Sequence, residues 1–352
     1  LKRIAYIELD THAEIAASFV ALTRDMEAIE CDYFFSTKIL DRLNLPSDIK
    51  ATESTATTIV GQLQRRSYDL VIIGTVHRYF NVFKKITQKF QTAIIVHNIN
   101  FSQTKPFLLL LNVFKKETAY RLKLLLKEGL LQAPNCCKSA QLLVLDEQLC
   151  RENPKLPLQY LPVFFNLPFE KPREKVMRIS IPGMVSQQRR DYRSVLKKLK
   201  QFKKPENFHF VFLGKASGEE LKQLKTAATE VSPELGFTFF DSRLSQETFD
   251  EWMMMSDLLW CPIQLRTEFF SIGEIYGKTK MSGNVGDAIR YGKTAVFPAE
   301  YPTGHPFIVK QRDDIEAQLA SRRFRKTFDF QEVYRLTVVR AQLEAKLLLL
   351  AQ

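Results

Sequence analysis

The sequence has few cysteines and none in a spacing that binds metal. Its five, Cys31, Cys136, Cys137, Cys150 and Cys261, are odd in number and form no C-x-x-C or Cys/His ligand pattern. Adjacent Cys136 and Cys137 are poorly placed to bridge each other. Reduced thiols and a cytoplasmic setting are therefore expected. There is no Asp-x-Asp of the kind that holds a divalent cation under a diphosphate, and no H-E-x-x-H, so neither metal nor cofactor is expected. No apolar run reaches the ~20 residues that cross a bilayer. No secretion signal is expected, since the sequence opens on the strand-like Lys2-Arg3-Ile4-Ala5-Tyr6-Ile7. A repeat of fixed period and low-complexity segments are also missing. With no ribonucleoprotein motif, zinc finger or basic zipper, nucleic acid is not expected as the main partner.

What is present is the balance of a globular protein: 352 residues, 45% hydrophobic and 26% charged. That length exceeds one ordinary core and predicts two domains. The net charge of +12 calls for an anionic partner, which can be a polymer, a phospholipid surface or a phosphorylated small molecule.

Strand-like and helix-like runs alternate through the first half, which predicts a parallel sheet. The strands are Ile4–Leu9, Asp32–Ser36, Asp69–Gly74, Ala93–His97 and Leu142–Leu145, and one long helix is expected over about Pro106–Lys127. Leu161–Asn166 reads as a crossing strand, followed by Pro168 and a charged linker. The alternation restarts at Arg178–Gly183 and continues through Phe208–Leu213, Phe237–Phe240, Leu258–Pro262 and Ala295–Pro298. The expected organisation is an N-terminal Rossmann-like domain over 1–168, a second over 176–312, and a C-terminal helical segment over 313–352. The fold class is α/β.

The most informative segment runs from Gly273 to Lys293: glycines, small polar residues, Lys278 and Lys280 lead through Ser282, Gly283 and Asn284 into a helix carrying Asp287. A helix start of this kind binds phosphate through its free amides; the plain alternative is an ordinary loop with solvated lysines. Gly292 is placed to end that helix. A second segment, Ile181-Pro182-Gly183 followed by Arg189-Arg190 at the start of a basic helix, offers fixed cations; alternatively these arginines decorate a surface helix.

These segments resemble the donor site of the retaining family 4 glycosyltransferases. In that family an acid precedes an aromatic-glycine pair, and a second acid opens a helix ending in glycine. Here Glu274 precedes Tyr276-Gly277, and Asp287-Ala288-Ile289-Arg290-Tyr291-Gly292 matches the second part. Ser256-Asp257-Leu258-Leu259-Trp260-Cys261-Pro262 is similar to the strand that comes before the acidic loop, and Phe208–Leu213 with Gly214-Lys215 to the second strand and its turn. The chain departs in having Lys280-Met281-Ser282-Gly283-Asn284 inserted between its acids and Asp in the second place. The resemblance implies two Rossmann-like domains facing a cleft, the GT-B type. It places Glu274 near the hexose and Asp287 on the ribose hydroxyls. The amides of Ser282, Gly283 and Asn284, with Lys280 and Lys278, would hold the diphosphate. Gly183, Arg189 and Arg190 would face the leaving nucleoside diphosphate, where fixed cations stabilise developing charge. A histidine at the end of an N-domain strand reaches the sugar in such enzymes, and His97 fits that position better than His12, an acceptor-side candidate; a satisfied loop histidine is the alternative for both. His77 shows no partner spacing and reads as structural.

The stretch 105–127 is apolar and basic together, which suits either a helix on an anionic membrane or a core helix with lysines outward. The combined expectation is a glycosyltransferase moving a sugar from a UDP- or GDP-linked donor to a glycan or lipid-linked acceptor. Retention of configuration follows from the resemblance alone. The chain would be cytoplasmic and could sit on the inner face of the membrane. The competing readings are a nucleotide-sugar binding protein of the same fold without turnover, and a basic scaffold for membranes or nucleic acid.

Overall fold

The computed structural model describes residues 1–43, 45–171, 175–321 and 328–352. Its strands, in chain order, are β1 Lys2–Glu8, β2 Ile29–Phe35, β3 Ala51–Glu53, β4 Leu70–Ile73, β5 Thr92–Ile95, β6 Gln141–Val144, β7 Leu158–Tyr160, β8 Met177–Pro182, β9 Phe208–Lys215, β10 Gly236–Phe240, β11 Leu258–Trp260, β12 Arg266–Phe269, β13 Ile272–Ile275, β14 Ala295–Phe297 and β15 Ile308–Lys310. Two of the sheets are parallel: seven strands in the order β3-β2-β1-β4-β5-β6-β7, and six in the order β10-β9-β8-β11-β14-β15. Helices cover both faces of such sheets, so central strands are apolar on both sides. Ile4, Ala5, Tyr6 and Ile7 of β1 accordingly have no exposed surface.

The chain divides into two compact units, neither of them continuous in sequence. The first is Leu1–Phe165 with Glu268–Met281 and Leu336–Gln352; the second is Asn166–Thr267 with Ser282–Arg335. The expected C-terminal segment 313–352 is therefore shared. Its last helix, Leu336–Leu350, buries Val339, Leu343, Leu347 and Leu350, a stripe at helical spacing. The Arg340 guanidinium donates to the Leu22 carbonyl at 3.1 Å, at the end of the helix Ala13–Thr23. Helix-to-helix packing within the first unit thus recruits a segment from the far end of the sequence.

Three local expectations are corrected. The single helix over Pro106–Lys127 is two, Pro106–Asn112 and Thr118–Glu128, broken where Glu117 turns left-handed at φ 48°. The segment around Gly273 and Glu274 is not a loop but strand β13, paired with β12. The expected crossing strand at Leu161–Asn166 is not formed: the strand there is β7, which ends at Tyr160, and Asn166 makes only an isolated bridge with Arg335. Among the described residues no helix is long and apolar enough to cross a membrane.

Candidate active site

In the second unit the strand order reverses direction between β8 and β11. Ligands of open α/β sheets bind outside the carboxyl ends of strands at such a switch point. Gly183 follows β8 there with φ 102°, a value that L side chains rarely adopt. A Cβ on Gly183 would lie 2.3 Å from the Arg190 guanidinium, and one on Gly214 would lie 2.3 Å from the Gly183 carbonyl oxygen. The two glycines therefore let two backbone turns and a cation share one small space.

Arg190 is the centre of this arrangement. Its Nη2 donates to Asn284 Oδ1 at 3.1 Å and its Nη1 to the Met184 carbonyl at 3.3 Å. Its Nε is buried without a partner. Asn284 in turn donates through Nδ2 to the Pro182 carbonyl (3.3 Å) and to Asp287 Oδ2 (3.1 Å). The helix Gly283–Tyr291 starts at this point: the Ser282 hydroxyl accepts from the Asn284 amide, and Gly292 closes the helix in the left-handed conformation. Ser282 and Asn284 are buried, whereas Gly283 is exposed. The cluster joins a fixed guanidinium, a carboxylate and a helix N-terminus, whose dipole favours anions. Arg189 lies outside it: its side chain is exposed, and its carbonyl accepts from the Gln264 amide at 2.8 Å.

In the first unit the switch point lies between β1 and β4, and the loops there gather three histidines. His12 stacks on His97 with ring centroids 4.1 Å apart, and His77 lies edge-on to His97 at 5.7 Å. The ring of His97 reaches the Gly74 carbonyl through Nε2 at 2.8 Å, so that nitrogen carries the proton. Asn98 donates to His77 Nε2 at 3.1 Å and accepts from Lys280 Nζ at 2.9 Å. Burial pulls the His97 pKa well below the ordinary histidine value, and pulls that of His77 down to about 3, with the charges of His12 and Lys280 acting the same way. His12 differs: burial lowers its pKa, but the hydrogen bond to Glu14 (2.9 Å) and the charges of Glu14 and Glu8 raise it above the usual value. Among the described residues no three His, Cys, Asp or Glu side chains are grouped to hold a metal ion.

Beneath the histidines, at the end of β1, Glu8 is buried. Its carboxylate accepts from the amides of Asp10 (3.0 Å) and Thr11 (3.2 Å) and from the Thr75 hydroxyl (2.7 Å). Burial raises its pKa to about 7 despite those hydrogen bonds. A Cβ on Gly74 would meet Glu8 Oε2 at 2.6 Å and the Tyr6 hydroxyl at 2.8 Å, so the chain runs close over the carboxylate.

Glu274, Lys278 and Lys280 belong to the first unit. Strand β13 delivers Glu274 to the short helix Ile99–Ser102 that follows His97, where the carboxylate accepts from the amides of Phe101 (2.9 Å) and Asn100 (3.4 Å). Burial raises its pKa against the pull of Thr279, those amides and Lys280. The Lys280 ammonium lies against Asn98, and the Lys278 side chain is exposed. Of the residues expected around a diphosphate, the structure thus gathers Gly183, Arg190, Ser282, Asn284 and Asp287 in the second unit, and places both lysines in the first. Sequence reasoning gave no role to Glu8, Thr75 or Asn98 and read His77 as structural. The signal for Glu8 was an acid closing an apolar strand.

No protein-family model matches the sequence, and no curated protein matches it. The structure, however, aligns over nearly its whole length with solved proteins. Sucrose-phosphate synthase from Thermosynechococcus elongatus is 12% identical with a TM-score of 0.60, covering 100% of both chains. Anabaena HepE, solved in complex with UDP and glucose, is 11% identical with a TM-score of 0.61 over 99% of both. The lipopolysaccharide outer core galactosyltransferase WaaB in its apo form is 12% identical with a TM-score of 0.57, over 98% of this chain and 99% of its own. The fold is GT-B. At these identities the likeness establishes the GT-B architecture of two parallel-sheet domains; what a GT-B protein does is decided by its site.

Proposed function

We propose that this protein is a glycosyltransferase that takes its sugar from a UDP- or GDP-linked donor and passes it to a glycan or lipid-linked acceptor. The observation that carries this reading is the Arg190–Asn284–Asp287 cluster at the switch point of the second sheet. Glycosyl transfer builds negative charge on the departing diphosphate, and a preorganised cation beside helix amides stabilises that charge. Arg190 and the first amides of the helix Gly283–Tyr291 would hold the phosphates, with Arg189 at the rim. Asp287 would accept from the ribose hydroxyls. In the first unit His97, neutral and fixed through Nε2, would present its other nitrogen to the sugar as an acceptor, with His12 on the acceptor side. Lys278 and Lys280 would supply further positive potential. Glu274, its carboxylate already engaged by Asn100 and Phe101, would act by setting the segment after β5 that carries His97 and Asn98. No metal is needed in this scheme, and retention of configuration rests on the family resemblance.

That same engagement of Glu274 favours a second reading, a nucleotide-sugar binding protein without turnover. Calorimetric titration with UDP, GDP and their sugar conjugates tests the site, and donor turnover separates the two readings. One nucleotide is expected to bind, and Arg190→Ala and Asp287→Ala are each expected to weaken it by about 10- to 100-fold, the worth of a charge-assisted hydrogen bond. Absence of binding to all of them would end the donor-site assignment.

A further inference from the structure

The helix Pro106–Asn112 is apolar on both sides. Leu109, Asn112 and Val113 face the core and are buried. Phe107, Leu110 and Leu111 are exposed and their spacing places them on one face of the helix, and Phe114, in the turn that follows it, is exposed as well. Phe107 is 66% and Phe114 is 64% exposed. A helix at the surface of a soluble domain puts polar residues outward, and a contiguous exposed apolar patch marks an interaction site. The core-helix alternative, with lysines covering the outer side, does not describe this helix.

The charge around the patch selects the occupant. Lys105, Lys115 and Lys116 flank the helix, and the next helix, Thr118–Glu128, adds exposed Lys123 and Lys127 with exposed Tyr120 and Leu126. Against these stand one exposed acid within the stretch, Glu117, and Glu268, which pairs with Lys116 at 2.8 Å. Exposed aromatic and aliphatic side chains with lysines on either side of them in the chain match the boundary between acyl chains and anionic headgroups. The patch is also held rigidly. Asn112 donates to the Phe270 carbonyl at 3.1 Å, and buried Arg121 donates to the Asn112 carbonyl at 2.6 Å and to Ser271 Oγ at 2.9 Å. The turn between β12 and β13 thereby braces the helix from behind. A preformed face loses little entropy on docking.

We infer that the face formed by Phe107, Leu110, Leu111 and Phe114, with the lysines on either side of it in the chain, docks on an anionic lipid bilayer. This inference stands on the exposed face and not on the transferase reading. The test is flotation of the full chain with vesicles of phosphatidylcholine alone and of phosphatidylcholine mixed with phosphatidylglycerol. Binding to the mixed vesicles is expected, weakening as salt is raised. It should fall by about tenfold or more in Phe107→Ser/Phe114→Ser and in Lys115→Glu/Lys123→Glu/Lys127→Glu. All five positions are exposed, and circular dichroism verifies that each variant is folded. Absence of wild-type binding to either vesicle, or undiminished binding by both variants, overturns the inference. So does a concentration-dependent dimer in sedimentation velocity that Phe107→Ser/Phe114→Ser abolishes without any vesicle binding, which would give the face to a second copy. Nucleotide titration of the same variants should match the wild type, so failure here and failure of the donor site are read separately.

Discussion

Gly183→Ala puts the architecture of the second unit to a quantitative test. The substitution asks an L-residue to hold φ 102°, which costs about 1–3 kcal/mol in sparsely populated backbone regions. The new Cβ would also lie 2.3 Å from Arg190 Nη2 and 2.9 Å from Cζ, so the guanidinium must move. Its displacement removes the 3.1 Å bond to Asn284, and a bond to a charged group contributes about 1.5–3 kcal/mol. Because the side-chain end can swing outward and recover solvent, the total should settle at about 2–4 kcal/mol. The readout is selective: the two tryptophans of the sequence are Trp252 and Trp260, and both lie in the second unit. Tryptophan fluorescence during urea unfolding therefore follows that unit. A fall in stability of this size is expected, with nucleotide affinity reduced at least as far as in Arg190→Ala. Unchanged stability together with wild-type nucleotide binding would refute the claim that the Gly183 turn positions Arg190.

Glu8 makes a pH prediction. Its folded pKa of about 7 lies above the unfolded value near 4.5, so the folded state keeps a proton that the unfolded chain has released. The contribution is fully present below about pH 4.5 and is lost as pH rises towards about 7, a change of about 3 kcal/mol. Glu8→Gln should flatten that part of the stability curve followed by circular dichroism; an unchanged slope would show that Glu8 is not its source. Proton NMR of the imidazoles should find His77 and His97 both titrating below the ordinary histidine range, His77 at about 3, with His12 titrating above that range; an ordinary midpoint for His97 would contradict its burial. Ser282→Ala removes the cap on the Asn284 amide and should cost about 1 kcal/mol in the same fluorescence assay; no change would show that the cap is dispensable.

The alternation of β1, β2, β4, β5 and β6 with helices was legible because central parallel strands are apolar on both faces and interrupted by strong helical patterns. Edge strands β3 and β7, three residues each, carry too little pattern to stand out. The β12–β13 hairpin was missed for a more specific reason. Its turn residues Phe270 and Ser271 both take positive φ, 53° and 56°, a geometry normally announced by Asn-Gly or Asp-Gly. Nothing in the residue types signals it, so Glu274 read as part of a loop in the second domain. In the second unit Gly183, Arg190 and Asp287 were visible because each sits at a strand end or helix start. Their link through Asn284 was not, since that residue reads equally well as a plain loop amide. His77 looked isolated because its partner Asn98 comes from the end of a different strand.

The discontinuity of the first unit bears on how the protein is made. Chains generally fold from the N-terminus as they emerge from the ribosome. Here a nascent chain that has reached Phe165 carries all seven strands of the first sheet, but not the brace behind Asn112 or the helix that covers Ala13–Thr23. Those arrive only with Glu268–Met281 and Leu336–Gln352. Until then the surfaces they cover stay open, and the second unit, whose Asn166–Thr267 segment emerges earlier, must wait in turn for Ser282–Arg335. Synthesis therefore passes through a long interval in which neither core is sealed and apolar surface that the finished fold buries is open to solvent.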